Sequence, residues 1–165
     1  MNTLGLLVVY LVITPVMAAV HYANDHPVLF NLISNEDHYS DNTGNNIVDN
    51  DDSVVLGVGT LSGSPSADSD SVYYPHGIYF LLVCSGTLHS CVLDGSNSRQ
   101  IMYIWGTGGG TITLAGIHFL DGNSGGYGGA LFIQSSALVS VQGCKLSSNQ
   151  AQNGGAILHS VVARR

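Results

Sequence analysis

The sequence predicts an all-β chain wound as a parallel β-helix, a solenoid of about three to four coils of about 27 residues each. Three observations carry this. Gly128-Gly129-Ala130-Leu131 recurs further on as Gly154-Gly155-Ala156-Ile157. The run from Ile112 to Phe119 aligns, position by position, with the run from Val139 to Leu146, a step one position longer. Finally, Thr111-Ile112-Thr113-Leu114, Leu131-Phe132-Ile133-Gln134 and Leu138-Val139-Ser140-Val141 alternate with period two between Gly, Asn, Asp and Ser, the pattern of short strands. One such coil cannot bury its inward face alone, so neighbouring coils must stack to make a core.

Residues 1–18 read as a secretory signal peptide. Leu4 to Val16 is almost wholly apolar and too short for a membrane span, and Val16-Met17-Ala18 offers small residues for cleavage before Ala19. Residues 19–71 form an acidic segment holding nine of the chain's eleven acids, from Asp25 to Asp70. It reads as an irregular entry with one or two strands, a polar cap over the solenoid's first open edge.

Residues 72–165 carry the repeats. Val92-Leu93-Asp94-Gly95 stands one full repeat before Phe119-Leu120-Asp121-Gly122, and the same spacing relates Thr87, Leu114 and Val141, as well as Ile104 and Leu131. The Gly-Gly pairs supply sharp corners that need φ > 0. Asn149, closing Leu146-Ser147-Ser148-Asn149, suits a turn in which its amide bonds its own backbone. The chain stops at Arg165, inside what the repeat would make the next coil, so the sequence reads as truncated, with an open C-terminal coil available for self-association.

Charge and motif content narrow the function. The net charge is −7, and Arg99, Lys145, Arg164 and Arg165 are the only Lys or Arg residues. There is no basic stripe to neutralise phosphates, which argues against nucleic acid and anionic lipid as partners. Asp49, Asp51 and Asp52 alternate hard oxygen ligands suited to Ca²⁺, though without the glycine and distal Glu of an EF-hand loop. Asp94 and Asp121 stack one coil apart in the repeat register, a spacing compatible with paired carboxylates for glycoside hydrolysis, but both sit in Leu-Asp-Gly turns. Cys84 and Cys91 form the nearer pair for a disulfide, leaving Cys144 over. Tyr103, Trp105 and Tyr127 are candidate outer-face aromatics for glycan contact or for stacking along the coils.

The two Gly-Gly-Ala-Leu/Ile phrases, with Leu146-Ser147-Ser148-Asn149 in the place of a Phe-x-x-Asn, resemble the repeats of chlamydial polymorphic outer membrane proteins. The resemblance covers roughly residues 84 to 160. It implies a right-handed, pectin-lyase-like β-helix, displayed at a cell surface or outer membrane and used for adhesion. The chain is expected to be a secreted or surface-displayed interaction or structural module that needs no cofactor, with a glycan or a cell-surface protein as partner. The pectinolytic relatives of that fold supply the alternative, a polysaccharide lyase or glycoside hydrolase. The Arg-Ile-Lys and Asn-Thr-Asp motifs of polygalacturonases do not occur, and Arg99, the one internal Arg, falls in a turn.

Overall fold

The computed structural model describes residues 18–33, 51–63, 71–75, 79–106, 110–135 and 138–160. The chain enters through strand β1 (Val20–Ala23) and helix α1 (His26–Ile33). It then winds through stacked layers. The first is β2 (Asp52–Leu56), β3 (Gly59–Ser62) and β4 (Ser71–Tyr73), and the second is β5 (Phe80–Cys84), β6 (Cys91–Asp94) and β7 (Gln100–Gly106). Above them lie β8 (Thr111–Ala115), β9 (Ile117–Leu120), β10 (Asn123–Tyr127) and β11 (Leu131–Ser135). The last described layer is β12 (Leu138–Gln142), β13 (Lys145–Ser147), β14 (Gln150–Asn153) and β15 (Ile157–His159). Among the described residues every strand pairing is parallel, each strand lying on its counterpart one coil away, and the chain is a β-solenoid of about three turns.

Three faces follow, each built from one column of strands. The first face runs β1-β2-β5-β8-β12, the second β3-β6-β9-β13 and the third β4-β7-β11-β15, with β10-β14 as a short fourth ribbon. Period-two alternation sends every second side chain inward. The inward columns are Val54-Leu82-Leu114-Val141 on the first face and Leu61-Leu93-Phe119-Leu146 on the second. On the third face the column is Tyr73-Met102-Leu131-Ile157. Val54, Leu82, Leu93, Met102, Leu114, Phe119 and Leu131 are wholly buried, whereas Val141 and Ile157 in the last described layer are more than a third exposed.

The acidic segment is more regular than its composition implies. β2 and β3 lie within it and stack in register beneath β5 and β6, so the coils extend below residue 72. The segment also contains a helix that strand-period reasoning passes over. Asp25 accepts the Val28 N–H at 2.9 Å as an N-terminal cap, Pro27 sits in the first turn, and Leu29, Leu32 and Ile33 face the core at helical spacing. The helix packs against β1 and β4, and Leu29, Leu32 and Ile33 join the core.

The repeat spacing holds between the last two layers but drifts below them. Ile112 pairs with Val139 and Phe119 with Leu146, as the repeat requires. Leu131 pairs with Ile157, matching the shorter step between the Gly-Gly-Ala phrases. One layer down, Val92 pairs with His118 and Leu93 with Phe119, a shift of one from the alignment of the two Leu-Asp-Gly turns. A one-residue slip would turn every side chain to the opposite face, and burying Cys91 and Leu93 against Ile117 and Phe119 selects the observed register. Likewise Leu114 lies on Leu82 rather than on Thr87, and Ile104 on Ile133 rather than on Leu131.

The first glycine of each Gly-Gly pair has positive φ, 47° at Gly128 and 76° at Gly154, which turns the chain into the third face. Asn149 works differently from the expected self-bonded turn. Its Oδ1 accepts the Gly122 N–H at 2.7 Å and its Nδ2 donates to the Phe119 carbonyl at 3.0 Å, so it satisfies backbone of the coil below. The left-handed residue of this turn is Ser148, with φ 55°. Asn149→Ala is expected to lower unfolding free energy by about 1–3 kcal/mol, because two backbone groups lose a partner. Urea denaturation measures this, and Asn123→Ala, which removes a single exposed bond to the Asn97 carbonyl, is the smaller-effect control.

Candidate functional site

The third face carries an aromatic column on its outer side. Tyr103 on β7 and Phe132 on β11 are in register, and their rings stack at 4.7 Å with planes 16° apart. Tyr74, just past β4, meets Tyr103 edge-on at 4.8 Å. Tyr127, at the end of β10, leans onto Phe132 at 5.1 Å with half its surface in solvent. Offset and edge contacts of this kind add about 0.5–1.5 kcal/mol per pair beyond area burial.

A second outward column lies beside the first, with Trp105 opposite Gln134. The Tyr103 hydroxyl donates to the Gln134 side-chain oxygen, tying the two columns together. Burial pushes the phenols of Tyr74 and Tyr103 upward from their ordinary range, so both are neutral donors at physiological pH. Strand alternation thus places Tyr103, Trp105, Phe132 and Gln134 on one outer strip, with Tyr127 at its edge. Of the aromatics named from sequence, all three belong to this strip. Tyr74, Phe132 and Gln134 carry no sequence signal of membership, because it depends on the register that sets Tyr103 on Phe132 and Trp105 on Gln134.

A polar group occupies the outer side of the second face. His118 Nε2 lies 2.6 Å from Ser147 Oγ, and His118 pairs with Lys145 in register. His89 Nε2 is 3.0 Å from the Gly143 carbonyl. Burial, then the Lys145 ammonium and His89, hold the His118 imidazole below its usual range, against the opposing pull of Asp121. None of these residues belongs to a recognisable motif. Outward positions on the neighbouring strands β9 and β13 bring His118, Lys145 and Ser147 together, and His89 reaches them from the corner before β6.

The sequence-predicted sites fall as follows. Asp94 and Asp121 do not stack, since Asp94 pairs with Leu120. Asp94 Oδ1 accepts the Ser96 N–H at 2.7 Å, the bond of an Asx turn, and Asp121 adopts a left-handed φ of 53°. Arg99 lies in the turn before β7, where its carbonyl accepts the Asn123 N–H at 2.7 Å. Asp49 lies outside the described residues. Asp51 is exposed with φ 73°, while Asp52 is buried and its carboxylate receives the Ala19 N–H at 2.6 Å and His21 Nε2 at 3.1 Å. Among the described residues no group of three or more His, Cys, Asp or Glu side chains is placed to hold a metal ion.

Cys84 and Cys91 are joined in a disulfide that closes the corner between β5 and β6. Cys144 is a free, half-buried thiol raised above its usual range by burial, donating toward the Leu114 carbonyl at 3.4 Å. No helix among the described residues is long and apolar enough to cross a membrane. Comparison with protein-family models, with curated proteins and with solved structures yields no match for this chain. The class of protein is therefore defined by its architecture, a parallel β-solenoid with a built outer face.

Proposed function

We propose that this chain is a secreted or surface-displayed β-solenoid that binds extended glycans at a cell surface and acts in adhesion, without catalysis of its own. The observation that carries this reading is the outer strip of the third face. Tyr127 presents a half-exposed ring over the stacked Tyr103-Phe132 column, and Trp105 and Gln134 lie alongside. Sugar rings offer apolar C–H faces and hydroxyl edges, which match aromatic faces and a side-chain amide respectively. A strip running along the solenoid axis suits a linear chain of such rings better than a compact molecule.

Three further points support the reading. The Cys84–Cys91 disulfide belongs to an oxidising compartment, in keeping with an N-terminal signal segment. The Gly-Gly-Ala phrases occupy equivalent corners of successive coils, which supports the resemblance to the chlamydial surface-protein repeats and their pectin-lyase-like helix. Lengthwise association belongs to the same proposal. Val141 and Ile157, inward residues of the last described layer, are partly exposed where a further layer would cover them.

The test is glycan-array binding by the purified secreted protein, followed by titration of the best ligand. Tyr127→Ala and Trp105→Ala are each expected to weaken binding about tenfold or more, in the range found for aromatic binding residues, with the circular dichroism unchanged. Array binding that survives both substitutions would refute this face as the site, and a blank array would refute the glycan reading.

A further inference from the structure

The buried carboxylate of Asp52 lies beside the backbone nitrogen that signal-peptide removal would free. Cleavage after Ala18 is what Val16-Met17-Ala18 predicts, and the first residue of the processed chain is then Ala19. Ala19 N stands 2.6 Å from Asp52 Oδ1, and the other carboxylate oxygen lies 3.1 Å from His21 Nε2. Asp52 is 4% exposed. We propose that the Ala18–Ala19 bond is a processing site, and that the Ala19 α-ammonium formed there makes an ion pair with Asp52 that locks β1 onto the solenoid.

The proposal rests on the secretory reading above but goes beyond it, by assigning a structural consequence to the cleavage. The step is a hydrolysis by a peptidase that accepts small residues at its cleavage site. The Ala18 C–N bond breaks, hydroxide from water goes to the Ala18 carbonyl carbon, and the proton goes to the Ala19 nitrogen. The new amine takes up a further proton and the new carboxyl releases one. Before cleavage Asp52 faces a neutral peptide N–H, and afterwards a full positive charge at the same position. Charge-assisted bonds are roughly twice as strong as neutral ones.

Burial also favours the pairing. A buried carboxylate is costly unless positive charge lies against it, and a cation beside His21 offsets that cost. Ala19 is itself exposed, so the ammonium keeps water on its other side and loses little hydration. Among the described residues, β1, β5 and the neighbouring chain supply groups around Asp52. β1 contributes His21, Asp51 precedes Asp52 in the chain, and β5 places the apolar Phe80 opposite, with Tyr79 just before it. The clamp then acts on a pairing that closes the first face, because Val20 to Ala23 lie along Ser53 to Leu56 as its edge strand.

An ammonium held by a carboxylate in the fold has a raised pKa. Its stabilisation is therefore complete below the free α-amino value of about 7.7–8.0 and is lost as pH rises through the folded value.

The experiment expresses the full chain in a eukaryotic secretion host and takes protein from the medium. Intact mass and N-terminal sequencing are expected to show Ala19 first. Competitive acylation across pH is expected to place the α-amino pKa about one unit or more above the free value. Asp52→Asn returns it to the free value. Inserting one glycine between Ala18 and Ala19 keeps the Ala19 nitrogen an amide, and is expected to lower Tm by about 3–8 °C near neutral pH. The wild-type titration alone decides the matter if Asp52→Asn is not secreted. Ala19 at the N-terminus with an ordinary pKa overturns the clamp and leaves secretion standing. A different N-terminus overturns the processing site, again with secretion intact. A chain retained uncleaved in the cell overturns the secretory reading and the proposal together.

Discussion

Gly129→Ala is expected to separate the last described layer from the one beneath it, with a loss of more than about 4 kcal/mol, a size reached only when packing or backbone is directly violated. A Cβ on Gly129 would lie 2.4 Å from the Gln150 carbonyl oxygen, 2.7 Å from its nitrogen and 2.8 Å from the Gly122 carbonyl oxygen. All three atoms are backbone, so no side chain can rotate away. Parallel strands sit about 4.8 Å apart, and the corner between β10 and β11 approaches its neighbours more closely than a methyl group allows. The carbonyl of Gly129 also accepts the Ile101 N–H at 3.2 Å, so a displaced corner loosens β7 as well.

Gly155 provides the control. It is the equivalent glycine of the second phrase, with φ 43° and open space where its Cβ would go. Gly155→Ala is expected to cost only the left-handed penalty, about 1–2 kcal/mol. Urea unfolding compares the two, and amide exchange at Ala130 and Gln150 reports whether the corner has opened. A Gly129→Ala protein within about 1 kcal/mol of wild type would mean that the coils do not approach each other there.

What the sequence reveals about this fold is its period, and what it conceals is the variation in its turns. Ile112 to Phe119 and Val139 to Leu146 align because nothing is inserted between those layers. Below them the corner at 85–90, bounded by the disulfided Cys84 and Cys91, lengthens the coil. Leu81 therefore pairs with Thr113, a step well beyond the repeat, while Cys91 pairs with Ile117, a step just short of it. A fixed repeat length finds the architecture and misplaces Thr87, Ile104, Asp94 and Asp121. The sites suffer most, because a side chain's face depends on register to a single residue. Matching Leu-Asp-Gly turns suggest a carboxylate pair that the structure separates. His118 and Ser147 share no motif and are brought within hydrogen-bonding distance. Helix α1 was legible in principle, through Asp25, Pro27 and the Leu29, Leu32, Ile33 spacing, but the surrounding acidic composition masked it.

Phe119→Ala tests that single-residue register directly, and is expected to destabilise the protein by about 3–5 kcal/mol, the range for truncating a buried aromatic side chain. Phe119 is wholly buried between Leu93 below and Leu146 above. Its ring fills the second face's inward column, so truncation leaves a cavity between Leu93 and Leu146. Phe132 is the internal comparison, since it is also aromatic and stacked but belongs to the outer strip. Phe132→Ala forfeits ring contacts of about 0.5–1.5 kcal/mol per pair and opens no core cavity, so its loss is expected to be the smaller. Phe119→Leu restores most of the lost volume and is expected to recover much of the stability. The alternative register, with Phe119 on Val92, would turn Phe119 toward solvent with His118 taking its place inside. In that arrangement Phe119→Ala would cost less than Phe132→Ala and His118→Ala would carry the large loss, an order that chemical denaturation of the three variants separates cleanly.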